Sequence, residues 1–168
     1  LFRERNYKND NLDGKVIAWS EDGQVFFESN HIDGKAHGLT TDFKNGVIWF
    51  ESEYKNGQKV KYTHFKNGQK QYETNYENEK KNGQEKSWND FNQVESLKDF
   101  RYGVKISETS FLYYPNGQLE KEMNYRGDGF TKDGKQSYWY EDGQIQREHN
   151  YKNGRQQDTT AWNEIGQK

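Results

Sequence analysis

Aromatic and branched apolar residues fall into short alternating runs in this chain, separated by Asp-Gly or Asn-Gly, and the runs recur at a nearly constant interval. Tyr7, His31, Tyr54, Tyr76, Phe100, Tyr125 and Tyr151 form one column, spaced by 24, 23, 22, 24, 25 and 26 residues. Eight residues before each member from His31 onward stands a turn residue: Gly23, Gly46, Gly68, Asn92, Gly117 and Gly143. Asn replaces glycine once, and it tolerates positive φ best after glycine. Asp-Gly and Asn-Gly between alternating segments are the strongest short-range hairpin signal. From each turn a strand runs to the column residue, read as Gln24-Val25-x-x-Glu28, Val47-Ile48-x-x-Glu51, Gln69-Lys70-x-x-Glu73, Gln93-Val94-x-x-Leu97, Gln118-Leu119-x-x-Glu122 and Gln144-Ile145-x-x-Glu148. The preceding strand ends on Trp19, Phe43, Phe65, Trp88, Tyr114, Tyr140 or Trp162. A second turn follows the column by three residues, with Gly34, Gly57, Gly103 and Gly154 in the slot and Asp10 and Glu79 as exceptions. Two short strands per roughly 24 residues leave no room for a helix.

The pattern predicts an all-β chain, an elongated single-layer antiparallel sheet of tandem β-hairpins with no substantial helix. Residues 1–168 read as a single repeat array of about six full hairpin repeats, with half repeats at both ends. Leu1-x-x-Glu4-x-x-Tyr7 matches the second strand of a unit, and Gly166 occupies a main-turn slot two residues before the last residue. Both ends therefore fall inside the repeating unit, as in a module of a longer protein; two natural caps are the rival reading.

A unit of Tyr-Lys-Asn-Gly, a strand, then Asn-Gly-Gln-(Val/Ile/Leu)-x-x-Glu-x-x-Tyr resembles the MORN repeat family, in particular its bacterial type 2 variant. Tyr54 to Tyr76 and Tyr125 to Tyr151 are the best copies. The copy from Tyr76 to Phe100 departs, with Glu79 and Asn92 for glycine and Leu97 for glutamate, and a bulge or a poorly paired strand is expected there. The resemblance implies a single-layer sheet of successive hairpins and membership among antitoxin or immunity-type proteins and repeat regions attached to other domains. It also carries a naming hazard, because such repeats flank the catalytic domain of phosphatidylinositol-4-phosphate 5-kinases. No glycine-rich phosphate loop with a strand lysine and no His-Arg-Asp catalytic loop occur here, so no kinase activity is expected. Asp99-Phe100-Arg101 resembles a metal-binding tripeptide by chance, since Phe100 belongs to the aromatic column.

Composition narrows the picture. Only 29% of residues are hydrophobic, yet 16% are aromatic, so aliphatic core is scarce. Disordered chains are depleted in aromatics, which leaves a thin, turn-rich β structure. A net charge of -2 argues against a nucleic-acid partner. The longest apolar runs, Val47–Phe50 and Phe111–Tyr114, are far shorter than the roughly 18 residues of a membrane span. Cysteine is absent, excluding disulfides, thiolate metal sites and a cysteine nucleophile. This composition, with a start other than Met, leans toward a mature extracytoplasmic bacterial domain, secreted or surface-tethered, with a cytoplasmic one as the alternative.

Strict alternation along the second strand puts the Val/Ile/Leu and Tyr slots on one face and the Glu slot on the other. The first face then carries Leu1, Val25, Phe27, Ile48, Phe50, Tyr72, Val94, Leu119, Met123 and Ile145, with Arg3, Arg5, Lys70, Lys98, Lys121 and Arg147 interleaved, and reads as the more buried one. The second carries an acidic strip, Glu28, Glu51, Glu73, Glu122 and Glu148. At two strands per repeat its carboxylates lie about 10 Å apart, near a Debye length, too far to share a metal ion. The strip reads either as a surface for a basic partner or as a solvated face paired with neighbouring lysines. Tyr138, Trp139 and Tyr140 form a candidate aromatic surface. His31, His37, His64 and His149 sit in different repeats without ligand spacing, so neither metal nor cofactor is expected. No group of residues converges as a catalytic site requires, and no catalytic residue is assigned. The function expected is a non-catalytic protein-interaction module, toxin-neutralising, immunity-type or envelope-scaffolding, that could also form a homodimer through its terminal edge strands. A carbohydrate- or phospholipid-head-group-binding module is the alternative.

Overall fold

The computed structural model describes residues 2–168; Leu1, assigned above to the first face, lies outside them. Its strands are β1 Phe2–Lys8, β2 Asn11–Trp19, β3 Val25–Ile32, β4 Lys35–Ala36, β5 Gly38–Lys44, β6 Val47–Lys55, β7 Gln58–Lys66, β8 Gln69–Glu77, β9 Lys80–Trp88, β10 Val94–Arg101, β11 Val104–Tyr113, β12 Leu119–Arg126, β13 Lys132–Trp139, β14 Ile145–Lys152 and β15 Arg155–Ala161. No helix occurs among the described residues. Within each unit the strands pair with their sequence neighbours, except that the short β4 pairs only with β3, leaving β3 to pair onward with β5. The chain divides into two compact units, one running to Gly83 together with Asp90–Asn92, the other comprising Gln84–Asn89 and Gln93–Lys168.

Two kinds of turn reverse the chain. Asn45-Gly46 and Asn67-Gly68 are two-residue turns with φ of 53° and 74°, and 52° and 79°. Positive φ at both positions is what a type I′ hairpin requires. The turns at Ser20–Gln24, Tyr114–Gln118 and Tyr140–Gln144 are longer: the first amide donates to the fifth carbonyl at 2.8 to 2.9 Å, and the glycine amide donates back to the first carbonyl. In these turns Asp22, Asn116 and Asp142 each accept from the amide two residues on, as Asx turns do. In the copy from Tyr76 to Phe100 the departing residues Glu79 and Asn92 sit at left-handed turn positions. Asn78, Glu79 and Asn92 take φ of 49°, 62° and 61°, and β9 is nine residues long.

A bulge changes the face assignment. Trp19 pairs with Val25 but Ala18 with Phe27, which leaves Phe26 as an extra residue. Trp49, Gln71, Glu120 and Gln146 are extra in the same way in their hairpins. The bulge is thus a property of the repeat, always three residues past the turn, and it reverses the alternation beyond it. Val25 and Glu28 consequently share one face, whereas Phe27 and His31 occupy the other; Ile48, Leu119 and Ile145 likewise move to the glutamate side. This corrects the strict alternation assumed from sequence. Ring contacts agree: Phe50 stacks on Tyr62 and His64 with centroids 5.6 and 4.9 Å apart, and Tyr62 and His64 each meet Tyr72.

Neither face is the core. In the first unit Val16, Ala18, Ser29 and Thr74 are buried on the ring side, and Thr41, Thr63 and Phe65 on the glutamate side. In the second unit Gln136 and Ser137 are buried on opposite sides of β13. A single layer has no second sheet to cover it, so side chains are buried only by their neighbours along and across strands.

Candidate functional site

The first unit contains a cleft that the turn chemistry creates. Three residues before the main-turn glycine, Tyr114 and Tyr140 donate their hydroxyls to the carbonyls of Trp139 and Trp162 in the next repeat, at 2.8 and 3.1 Å. Asn116 and Gln93 add bonds to Glu141 and Gly117 carbonyls. Successive turns in the second unit are thereby tied together. At the same slot Phe43 and Phe65 carry no hydroxyl, and both stand before short Lys-Asn-Gly turns. Pairing of β6 with β7 begins only at Phe50 opposite His64. Beyond that pair the strand ends diverge, and a cleft of about 450 Å³ opens, lined by Lys44, Asn45, Val47, Ile48, Trp49, His64, Phe65, Lys66 and Asn67.

Apolar side chains form the walls and cations the rim. Trp49, the bulge residue, is 40% exposed and stacks on Phe50 at 4.5 Å between centroids. The Lys44 ammonium lies 4.5 Å from the Trp49 ring centroid. Lys66 donates to both carboxylate oxygens of Asp90, at 2.8 and 3.0 Å. Phe65 is buried at the back, whereas Val47 is exposed. An apolar cleft with a few convergent polar groups is the usual form of a recognition site.

Within each unit the glutamates of the acidic strip share one face, but they are separated from one another, and most are paired. Across the first unit the row reads Glu28, Thr41, Glu51, Thr63, Glu73, and across the second Phe111, Glu122, Ser137, Glu148, Thr160. Lys15 reaches Glu28 at 3.0 Å, Lys61 and Lys70 reach Glu73 at 3.2 and 3.0 Å, and Lys135 reaches Glu148 at 2.6 Å. Glu122 accepts from the Asn124 amide, and Glu51 borders Lys61 and Lys70 in a shallow depression. Burial alone would raise the Glu73 pKa, but hydrogen bonds from Lys70 and Lys61 outweigh it and hold the carboxyl below its usual range. The hydrogen bond to Glu148 holds the Lys135 ammonium above its ordinary value.

Tyr138, Trp139 and Tyr140 do not assemble into one surface. Tyr138 lies on the ring side, where the Arg147 guanidinium sits 4.4 Å from its centroid, and Trp139 points to the other side because consecutive strand residues alternate. Tyr140 is occupied in the turn ladder.

One further group stands out on the ring side. Asp42 pairs in register with Phe27 on β3 and Phe50 on β6. It is half-buried, and burial raises its pKa. Burial is also the main reason the Tyr62 phenol is held above its ordinary value, with Tyr72 the next contributor.

Neither the cleft nor Asp42 was singled out from sequence. The cleft had a legible signal, Phe for Tyr before two consecutive short turns; Asp42 had none, because only the bulge places it among rings. No cluster of three or more His, Asp or Glu that could hold a metal ion occurs among the described residues. No helix among them is long and apolar enough to cross a membrane. No curated protein matches the chain. Two stretches match the family model described as MORN repeat variant, residues 109–126 and 132–153, which correspond to the β11–β12 and β13–β14 hairpins of the second unit.

Proposed function

We propose that the chain is a non-catalytic repeat module that binds a protein partner. MORN-type repeats are consistent with an interaction module, and the observation that carries the reading here is the cleft between the Asn45-Gly46 and Asn67-Gly68 turns. It offers Trp49, Val47 and Phe65 as apolar contacts and Lys44 as a cation, at a turn position that Tyr114 and Tyr140 close with their hydroxyls in the second unit. Trp in a pocket ringed by polar groups is the composition of an interaction hot spot. Large apolar groups exposed elsewhere, Phe91, Phe130 and Val104 among them, fit a surface that meets other macromolecules. Neutralisation of a toxin and scaffolding of a cell envelope are two settings for such a module, and the identity of the partner separates them.

The test is affinity capture from source lysate and secreted fractions, run in parallel with wild-type protein and the Trp49→Ala variant. A stoichiometric protein retained by the wild type and reduced about tenfold by the variant, the loss of one hot-spot aromatic, is expected. Capture of no protein, together with retention on liposomes or a glycan array, would replace this reading with a head-group- or carbohydrate-binding module. Phosphotransfer to phosphatidylinositol 4-phosphate by the purified chain would overturn the non-catalytic assignment.

A further inference from the structure

On the ring side of the first unit one register row runs Phe27, Asp42, Phe50, His64, Tyr72 across β3, β5, β6, β7 and β8. Asp42 therefore stands between two phenyl-bearing neighbours, at the roughly 5 Å spacing of directly opposed strand residues. Its carboxylate makes no hydrogen bond or ion pair among the described residues. Lys44, two residues on from Asp42, lies over Trp49, and Lys59 lies over Tyr62 and Tyr76 at 5.7 and 5.5 Å. His64 is held in the ring stack between Phe50 and Tyr72.

The equivalent row of the second unit shows what is missing. There it reads Leu112, Lys121, Tyr138, Arg147, Ala161, and the Arg147 guanidinium covers the Tyr138 ring. That row supplies its own cation and contains no carboxylate. In the first unit the row has rings and a half-buried carboxylate but no lysine or arginine. A charge taken partly out of water is ordinarily paired, and aromatic faces attract cations.

We propose that Asp42, with Phe27 and Phe50, is a receptor for the basic side chain of a protein partner, an N–H-bearing organic cation. The carboxylate accepts its hydrogen bonds while the flanking rings face its charge and methylenes. A quaternary ammonium has no N–H to donate and leaves Asp42 unsatisfied. The site adjoins the cleft, since Phe50 stacks on Trp49 and His64 lines the cleft; only the source of the cation rests on the protein-partner reading.

The test titrates n-butylammonium, methylguanidinium and tetramethylammonium chlorides into the protein at constant chloride, following the backbone amide NMR signals of Phe27, Asp42 and Phe50. Saturable shifts confined to this row are expected with the first two cations, weakened about tenfold by Asp42→Asn, as for loss of a charged hydrogen bond. Tetramethylammonium is expected to bind about tenfold more weakly than n-butylammonium to the wild type, a comparison that does not depend on any variant folding. Shifts no larger than those from sodium chloride, or unchanged by Asp42→Asn, would overturn the site. Equal or tighter binding of tetramethylammonium would overturn the basic-side-chain assignment in favour of a quaternary head group. A partner whose capture depends on Trp49 but is indifferent to Asp42→Asn would overturn the proposed source and leave the interaction module standing.

Discussion

Glu73→Gln decides whether the glutamate column is a free acidic surface or part of the sheet's own electrostatics. One oxygen, Glu73 Oε2, is 3.2 Å from the Lys61 ammonium and 3.0 Å from that of Lys70. The Glu73 side chain is 22% exposed, but those of Lys61 and Lys70 are 37% and 45% exposed, so water screens both pairs. Exposed pairs contribute about 0.2 to 1 kcal/mol each, and two at the lower half of that range give a cost of about 0.8 kcal/mol. Glutamine keeps the volume, so the loss is electrostatic. Urea unfolding followed by tryptophan fluorescence at about 0.05 M salt should show it as a lowered midpoint with unchanged slope. Because the Debye length shrinks to about 3 Å at 1 M salt, most of the difference should vanish there. A double-mutant cycle with Lys61→Met should return a coupling of about 0.4 kcal/mol. The carboxyl is held below its usual range, so this stabilisation is present above the unfolded-state pKa and is lost as pH falls through the folded value. A coupling of zero, or a salt-independent cost, would refute the pairing and return the column to the role of an acidic docking strip.

Phe43→Tyr should let a hydroxyl reach the His64 carbonyl, as Tyr114 reaches Trp139, raising stability by about 0.5 to 1 kcal/mol and reducing Trp49-dependent partner capture; a destabilised variant would break the ladder account of the cleft. Gly127→Ala would drive a methyl into the Lys105 carbonyl oxygen and place it 3.2 Å from the Ile106 Cα, so the backbone must move and a cost of about 3 kcal/mol or more is expected. Gly23→Ala, with φ of +81° and nothing within 4 Å, should cost only about 1 to 2 kcal/mol from the left-handed backbone, and equal losses in urea midpoint would contradict the close approach at Gly127. Hydrogen bonds from the Thr131 hydroxyl and the Thr131 and Phe130 amides draw Asp128 down to about 2. Its contribution is present above about 3.8 and lost as pH falls toward 2, so Asp128→Asn should remove that part of the acid transition in a pH-dependent melt.

Most of the architecture was legible because it rests on local chemistry. A hairpin of two-residue turns needs positive φ twice, and Asn-Gly supplies it at Asn45-Gly46 and Asn67-Gly68. The repeat interval, the absence of helix among the described residues and the strand boundaries follow from turns spaced too closely for anything else. Even Glu79, a poor residue for a left-handed position, is held at φ of 62° beside Asn78 by the hairpin around it. The glutamate column was also visible, since its members recur five residues past each turn.

What the linear pattern could not supply is the parity of the strand. One extra residue at Phe26, Trp49, Gln71, Glu120 or Gln146 is silent in a list of alternating positions, yet it sends every later side chain to the opposite face. The bulge joined the valine and glutamate slots on one side and put Asp42 between Phe27 and Phe50 on the other. Contacts between repeats were equally out of reach, because the tyrosine hydroxyls that close the second unit's turns act across 22 to 25 residues. Local turn chemistry names the elements; only the pairing of those elements in space determines which side chains meet, and the cleft and the carboxylate among the rings are products of that pairing.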